Sequence, residues 1–375
     1  MLYWNAHMTK PEVGKLYVGA TRQNDGKTMV SLGLLHALGK RVNHIGYMKP
    51  VGQQYVEIDG SQIDKDAVLM HQAYHLGDDL EDMSPIAVRK GFTEDYIVRG
   101  RPATLAAKIL KASRRLCQGK DLVLVEGTGH AGVGSVFDTS NSDVAKLLGA
   151  KVIIISCGGI GRPIDEIMLN ITKFQVDKVD IVGVIFNKVR AEKYDKVNRL
   201  VRLGMKRKKI PVLGVIPFVE MLSNPTLKEL LEDLGGELIC GEKGLKNQSG
   251  KMVIGAMPPR DALDYFTPNC LLITPGNRDD LILAAMSTST LDHDKSKAVS
   301  GIVLTCGIEP HPNILHLVKQ TDIPIILVKH DTFTTASKIY GAVYKLRAEE
   351  TAKVQECGRL VEQYVDIDQI MQAMK

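Results

Sequence analysis

The sequence predicts an α/β protein, a doubly wound parallel sheet followed by a second, smaller α/β domain. Three observations carry this. Short apolar runs bounded by turn residues alternate with helical runs along most of the 375 residues, as crossover connections between parallel strands require. The run Leu122-Val123-Leu124-Val125 is apolar at every position and reads as a strand covered on both faces. Residues 19–28, Gly-Ala-Thr-Arg-Gln-Asn-Asp-Gly-Lys-Thr, follow an apolar strand and open a helical run, the order of a phosphate-binding loop.

That loop organises the first domain. Small residues let backbone N–H groups face phosphate at a helix N-terminus, Lys27 neutralises the terminal phosphates, and the Thr28 hydroxyl ligates Mg²⁺. Thr21 stands where the usual pattern has its first glycine, and Asp25 brings a negative charge beside the phosphates. After the loop, strands are expected at 42–48, 122–125, 151–156, 181–186 and 212–216, with helices at 67–75, 102–117, 142–148, 163–174 and 193–209 between them. A polar turn is expected after Lys49-Pro50-Val51-Gly52, and Asp64-Lys65-Asp66 opens the helix that follows it. Lys49, Glu126 and Asn187 each follow a strand C-terminus, the edge where open parallel sheets bind ligands, so they can gather around the loop.

The glycine-rich stretch 234–251 reads as the domain junction, which gives a first domain at 1–235. Strands at 252–256, 270–274, 301–305 and 324–328 alternate with helices at 260–266, 279–286 and 313–320, and another helix starts at Thr334. This second domain, 250–345, has no phosphate loop of its own. Residues 346–375 read as a charged helical tail that packs back or mediates assembly, and residues 1–14 as a lead-in in which Met8 is an alternative start.

Composition narrows the class. Hydrophobic residues make up 44% and charged residues 24%, ordinary for a globular α/β protein and opposed to disorder. A net charge of +5 over this length is too mild to imply nucleic acid and suits small anionic ligands. Six scattered cysteines form no Cys-x-x-Cys and no zinc spacing with histidine, so they read as free thiols. With no basic and apolar leader and no apolar run near 18 residues, a cytoplasmic location away from membranes is expected. The cluster Arg199, Arg202, Lys206, Arg207, Lys208 and Lys209 reads as a solvated helix face or a site for phosphate-rich partners.

Gly26-Lys27-Thr28, Lys49-Pro50-Val51 and Glu126-Gly127-Thr128-Gly129 together resemble dethiobiotin synthetase and its relatives among ATP-dependent amide-forming P-loop NTPases. Thr274-Pro275-Gly276-Asn277-Arg278-Asp279-Asp280, with Leu304-Thr305-Cys306-Gly307 and Asp331-Thr332-Phe333-Thr334-Thr335, resembles a DRTGG domain whose Gly-Asp-Arg has become Gly-Asn-Arg. The pair is similar to the N-terminal, non-acetyl-transferring region of long bacterial phosphotransacetylases, with the acetyl-transferring domain expected to be absent.

The resemblance implies ATP and Mg²⁺ as cofactors. It implies Thr28, Asp66 and Glu126 around the metal, Lys49 and Lys27 acting on the transferring phosphoryl group, and Asn187 reading adenine with Pro217 bordering the base. Thr21, Arg22, Asn24 and Gly26 complete the nucleotide set. Asn187-Lys188-Val189-Arg190 supplies no aspartate for guanine, which favours ATP over GTP. The family's substrate-contacting Ser/Gly pair is replaced by Gly52-Gln53-Gln54, which argues against the biotin precursor as substrate. Arg22 stands where dimeric relatives with a deviant loop carry a lysine reaching the partner's ATP, which implies a homodimer. The expected function is a nucleotide- or metabolite-responsive regulatory ATPase, binding an unidentified small molecule and associated with a metabolic enzyme. The alternative is an ATP-dependent ligase or kinase activating a carboxylate or carbamate.

Overall fold

The computed structural model of the chain describes residues 13–290, 298–342 and 344–375; of the lead-in, residues 1–12 with Met8 lie outside the described residues. The chain forms two compact units, one holding the residues up to Phe218 together with Leu346–Lys375, the other Val219–Lys345.

In the first unit, β1 (Gly14–Ala20) leads through the loop into α1 (Lys27–Gly39) and β2 (Ile45–Met48). Then come β3 (Val51–Gly52), the hairpin β4 (Tyr55–Ile58) and β5 (Ser61–Asp64), α2 (Lys65–Tyr74), α3 (Leu80–Met83), β6 (Ile86–Ala87), α4 (Phe92–Arg99) and α5 (Pro102–Leu116). The regular alternation resumes with β7 (Leu122–Glu126), α6 (Asn141–Leu148), β8 (Lys151–Cys157), α7 (Gly161–Val176), β9 (Ile181–Val189), α8 (Tyr194–Arg207) and β10 (Val212–Pro217). The six-stranded sheet has the order β10-β9-β8-β1-β7-β2, and its neighbours pair in parallel. From β1 the chain crosses to the β2 edge, and from β8 it leaves toward β10, so β1 and β8 flank the topological switch point. The expected strands are therefore present, and their C-terminal ends share one edge with the loop.

The expected polar turn after β3 is instead the β4–β5 hairpin. Asp59 and Gly60 both hold positive φ, 48° and 80°, as the tight turn of a two-residue hairpin requires.

In the second unit, α9 (Leu227–Leu234), β11 (Glu237–Cys240), β12 (Met252–Ile254), α10 (Pro259–Ala262), β13 (Cys270–Pro275), α11 (Asp279–Thr290), β14 (Val299–Thr305), α12 (Pro312–Val318), β15 (Ile325–Leu327) and α13 (Thr332–Gly341) follow in order. The sheet order is β11-β15-β14-β13-β12, parallel except for β11. Alternate residues along β13 serve two cores: Leu272 packs with Leu281, Ile282 and Val318, whereas Leu271 and Ile273 pack with Leu230 and Ile339. That period of two puts helices on both faces.

Two expected boundaries are corrected. The first domain ends at Phe218 rather than 235, and the stretch 234–251 is no linker, because β11 lies in it and pairs with β15. Its glycines serve packing: a Cβ on Gly236 would stand 2.6 Å from Ile326 Cγ2, and one on Gly241 2.3 Å from the Ile323 backbone. The last residues, expected as a charged helical tail that packs back or mediates assembly, form α14 (Thr351–Tyr364) and α15 (Ile367–Met374) and belong to the first unit. α14 lies so close to α1 that a Cβ on Gly33 would sit 2.5 Å from Cys357 O. This cover explains why α1 buries Val30, Leu32, Leu34, Leu35 and Leu38 instead of a single apolar stripe.

Candidate functional site

The 19–28 loop is built on its own side chains. Gly26 caps α1 with φ 96°, and Asn24 holds φ 67°. The Thr21 hydroxyl donates to Asp25 Oδ2 at 2.7 Å and shares a 2.9 Å hydrogen bond with Ser156 Oγ. The Asp25 carboxylate also accepts from Arg22 N at 2.8 Å and from the Cys157 thiol at 3.1 Å. Asp25, expected as a charge facing the phosphates, is thus buried and turned into the frame of the loop. Burial pushes the Cys157 thiol up to about 11, with the Asp25 charge adding to it, so this cysteine is held as a neutral donor.

Lys27 Nζ donates to Arg22 O at 3.3 Å across the loop. Burial and then the neighbouring Lys49 lower Lys27 to about 8, against the pull of Glu126, Asp25 and Asp66. Behind the loop, Asn187 Nδ2 donates to Asp25 O at 2.9 Å, Asn187 Oδ1 accepts from Lys188 N at 2.9 Å, and Lys188 Nζ donates to Asn24 O at 2.7 Å. Asn187, expected to read adenine, is buried and clamps the loop; a Cβ on Gly26 would meet its Nδ2 at 2.2 Å. Arg22, expected to reach a partner's nucleotide, pairs with Glu166 of its own chain, which Arg162 Nε also meets at 2.9 Å. Pro217 ends β10, paired with Val189.

Three strand and helix ends bring the second constellation together. Lys49 follows β2, Glu126 ends β7, and Asp66 lies in the first turn of α2, where Asp64 caps its backbone N–H at 2.9 Å. Lys49 Nζ donates to Asp66 Oδ2 at 2.8 Å and to Glu126 Oε1 at 2.9 Å, with all three groups buried. Burial opposes the Lys49 charge, but Asp66, Glu126 and Asp64 outweigh it and hold the ammonium above the usual lysine range. Thr28 Oγ1 donates to Glu126 Oε1 at 3.2 Å, and Tyr47 OH donates to Glu126 Oε2 at 3.1 Å. Sequence reasoning named Thr28, Lys49, Asp66 and Glu126, and the structure brings all four together; Tyr47 it missed.

It also missed Asn141. This buried amide accepts from Tyr17 OH at 2.7 Å and from Thr128 N at 2.9 Å, and donates to Thr128 O at 2.7 Å and His130 O at 2.6 Å. It thereby fixes the loop that carries Gly127-Thr128-Gly129. Thr128 Oγ1 in turn donates to Val51 O at 2.6 Å, tying that loop to the one after Lys49. A capping box between Ser140 and Asp143 starts α6 at Asn141 and was legible as Ser-x-x-Asp. The long-range role was not. Between these loops lies a narrow crevice with about 10 Å³ of space for water, lined by Pro50, Gln53, Glu126, Gly127, Thr139 and Asn141 among others. The buried Thr139 hydroxyl has no hydrogen-bond partner in it.

Among the described residues, no group of three or more His, Cys, Asp or Glu side chains is arranged to hold a metal by itself. Two carboxylates and a hydroxyl do suit a hard cation that draws its remaining ligands from water and phosphate, as Mg²⁺ does. A cation, the Lys49 ammonium, already sits between Asp66 and Glu126. No helix among the described residues is long and apolar enough to cross a membrane.

The domain family described as AAA domain matches residues 14–226, and the DRTGG domain matches residues 229–342. The phosphate acetyltransferase of Nitratidesulfovibrio vulgaris is 28% identical over 95% of this chain and 51% of its own length. That of Synechocystis is 25% identical over 96% of this chain and 52% of its own. The chain thus spans about half the length of the curated relatives it matches. A Cyanothece McdA–ATP complex is similar at 12% identity and TM-score 0.38, covering 56% of this chain and 86% of that one.

Proposed function

The chain belongs to the AAA domain family through its first unit, and from that premise we propose that it binds Mg²⁺-ATP and answers to a nucleotide or metabolite through its DRTGG domain. The observation that carries this reading is the buried Lys49–Asp66–Glu126 constellation beside Lys27 and Thr28 at the start of α1. Lys27 would take the terminal phosphates, with Thr21, Arg22, Asn24 and Gly26 shaping the loop around them and the Pro217 end of β10 near the base. Thr28, Asp66 and Glu126 would hold Mg²⁺, which supplies charge neutralisation on the phosphates. Lys49 would then be freed from its carboxylates to face the transferring phosphoryl group.

Two features support a regulatory role. Gly52 packs against Asp64, so near that a Cβ would stand 2.3 Å from Oδ2, and leaves no serine in the acceptor loop. Along the sequence the second unit, Val219–Lys345, is inserted between β10 and α14, and α14 closes over the helix that carries Lys27 and Thr28. A homodimer and association with a metabolic enzyme fit this reading. A second reading, an ATP-dependent ligase or kinase similar to dethiobiotin synthetase, draws on the crevice beside Glu126 and its unpartnered Thr139 hydroxyl.

Phosphate release from Mg²⁺-ATP, alone and with pooled metabolites, against a Lys27→Ala blank separates the two. The regulatory reading expects stabilisation by ATP with slow release, independent of an acceptor. Conversion of a pooled metabolite into a phosphorylated or condensed product in step with phosphate release, absent from the blank, would establish the ligase reading instead. No ATP-dependent rise in melting temperature in the parent would remove both; at about a hundredfold excess over Kd the linkage is roughly 2.7 kcal/mol.

A further inference from the structure

The end of α8 and the start of β10 form a second concave site. Residues 199–209 carry Arg199, Arg202, Lys206, Arg207, Lys208 and Lys209, and no acidic residue occurs between Asp195 and Glu220. All six cations are exposed, and among the described residues none forms an ion pair. Attraction to the helix C-terminus accounts for cations in the last turn, Lys206 and Arg207, but not for Arg199 and Arg202 farther back.

Three of the six converge. Arg202, Lys206 and Lys209 line a cleft of about 600 Å³, open mouth included, together with Ile210, Pro211 and Val212. Arg202 is held there: its Nε donates to Asn198 Oδ1 at 2.9 Å and its Nη1 to Val212 O at 3.0 Å. Lys209 takes φ 59° directly after the helix, a left-handed conformation that a glycine would adopt without strain. A fixed guanidinium and two lysines lining the same cleft suit adjacent phosphate groups, the guanidinium as a directional donor and the ammonium groups as point charges. No aromatic side chain lines the cleft, which removes the stacking surface that single-stranded nucleic acid uses. Val212 begins β10, so the cleft stands at the sheet edge opposite the phosphate loop, which follows the C-terminal end of β1.

We propose that this cleft is a second anion site, taking a small solute with two or more adjacent phosphate groups, distinct from the phosphate loop. Calorimetric titration with inorganic tripolyphosphate tests it on three variants beside the parent. Lys27→Ala disables the loop. Arg202→Gln with Lys206→Gln and Lys209→Gln empties the cleft. Arg199→Gln with Arg207→Gln and Lys208→Gln removes the same charge from outside it. The expected result is a binding event that persists in Lys27→Ala, weakens roughly tenfold or more when the cleft cations are replaced, about 1.4 kcal/mol per decade, and changes little in the charge-matched control. Equal weakening in both triple variants would mean diffuse attraction and overturn the site. So would tripolyphosphate binding that vanishes entirely in Lys27→Ala.

Discussion

Lys49 Nζ lies 2.9 Å from Glu126 Oε1 in the interior of the first unit, and the same nitrogen is 2.8 Å from Asp66 Oδ2. Removing the ammonium alone leaves two carboxylates facing a buried space, and breaking such a pair costs about 3–5 kcal/mol. Lys49→Met therefore lowers the melting temperature by about 10 °C, taking roughly 2–4 °C per kcal/mol for a domain this size. Adding Glu126→Gln removes one charge of each sign and recovers part of the loss. Thermal melts of the parent, the single and the double variant at neutral pH decide it; a single variant as stable as the parent would show that the cluster is not coupled in solution.

Lys27 links nucleotide affinity to pH. Burial, then Lys49, brings it from 10.5 to about 8 in the free protein, so the unfolded chain binds more protons between those values and this group makes stability rise with pH across that window. Phosphate reverses the sign, because a polyanion beside the ammonium favours its charged form. Binding then takes up a proton above pH 8, and affinity for Mg²⁺-ATP falls by up to about tenfold per pH unit there while staying level below about pH 7. Titrations in two buffers of different ionisation enthalpy measure the uptake directly. A flat affinity profile through pH 9 contradicts the placement of Lys27 on phosphate.

Much of the first unit was legible because its signals are local. Leu122-Val123-Leu124-Val125 needs no partner to read as a buried strand, and Gly26-Lys27-Thr28 carries its own chemistry. The Asp59-Gly60 hairpin was equally available, an Asp-Gly turn beside apolar residues, and was passed over as a polar turn. The roles of Asn187, Asn141 and Asp25 were hidden for a different reason. Each depends on a partner brought near only by the fold: Asn187 and the Asp25 carbonyl are separated by 162 residues, Asn141 and the Tyr17 hydroxyl by 124, and Asp25 and the Cys157 thiol by 132. Glycines at 235–250 misled because the residue that suits a linker also suits the close contact of β11 with its neighbours.

The loop clamp makes a prediction of non-additivity. In Gly26→Ala the new Cβ meets Asn187 Nδ2 at 2.2 Å, and the φ of 96° is strained for any side chain. Asn187→Ala alone leaves Asp25 O without its donor. The double variant relieves the collision but keeps the backbone strain, of order 1–3 kcal/mol. Its destabilisation is therefore smaller than the sum of the two singles by more than about 0.5 kcal/mol. Chemical denaturation of the four proteins gives the coupling, and strict additivity would mean that the clamp is not formed.

The contact between α1 and α14 predicts the failure of a substitution that ordinarily stabilises. Glycine to alanine inside a helix gains about 1 kcal/mol in propensity. At Gly33 the added Cβ would stand 2.2 Å from Val361 Cγ2 and 2.5 Å from Cys357 O, and the second of these is backbone. Overpacking of this kind costs about 1–3 kcal/mol, so Gly33→Ala is expected to be less stable than the parent despite the better propensity. The strain falls on the docking of α14, and its amides should exchange with solvent faster while those of β7 keep their protection. Val361→Ala in the same chain removes the nearer obstacle but not the Cys357 carbonyl, so the rescue is partial. Because α1 begins with Lys27 and Thr28, the same variant should also weaken Mg²⁺-ATP binding if α14 sets the position of the loop helix. A Gly33→Ala protein that melts higher and exchanges as slowly as the parent would mean that the two helices are not packed this closely.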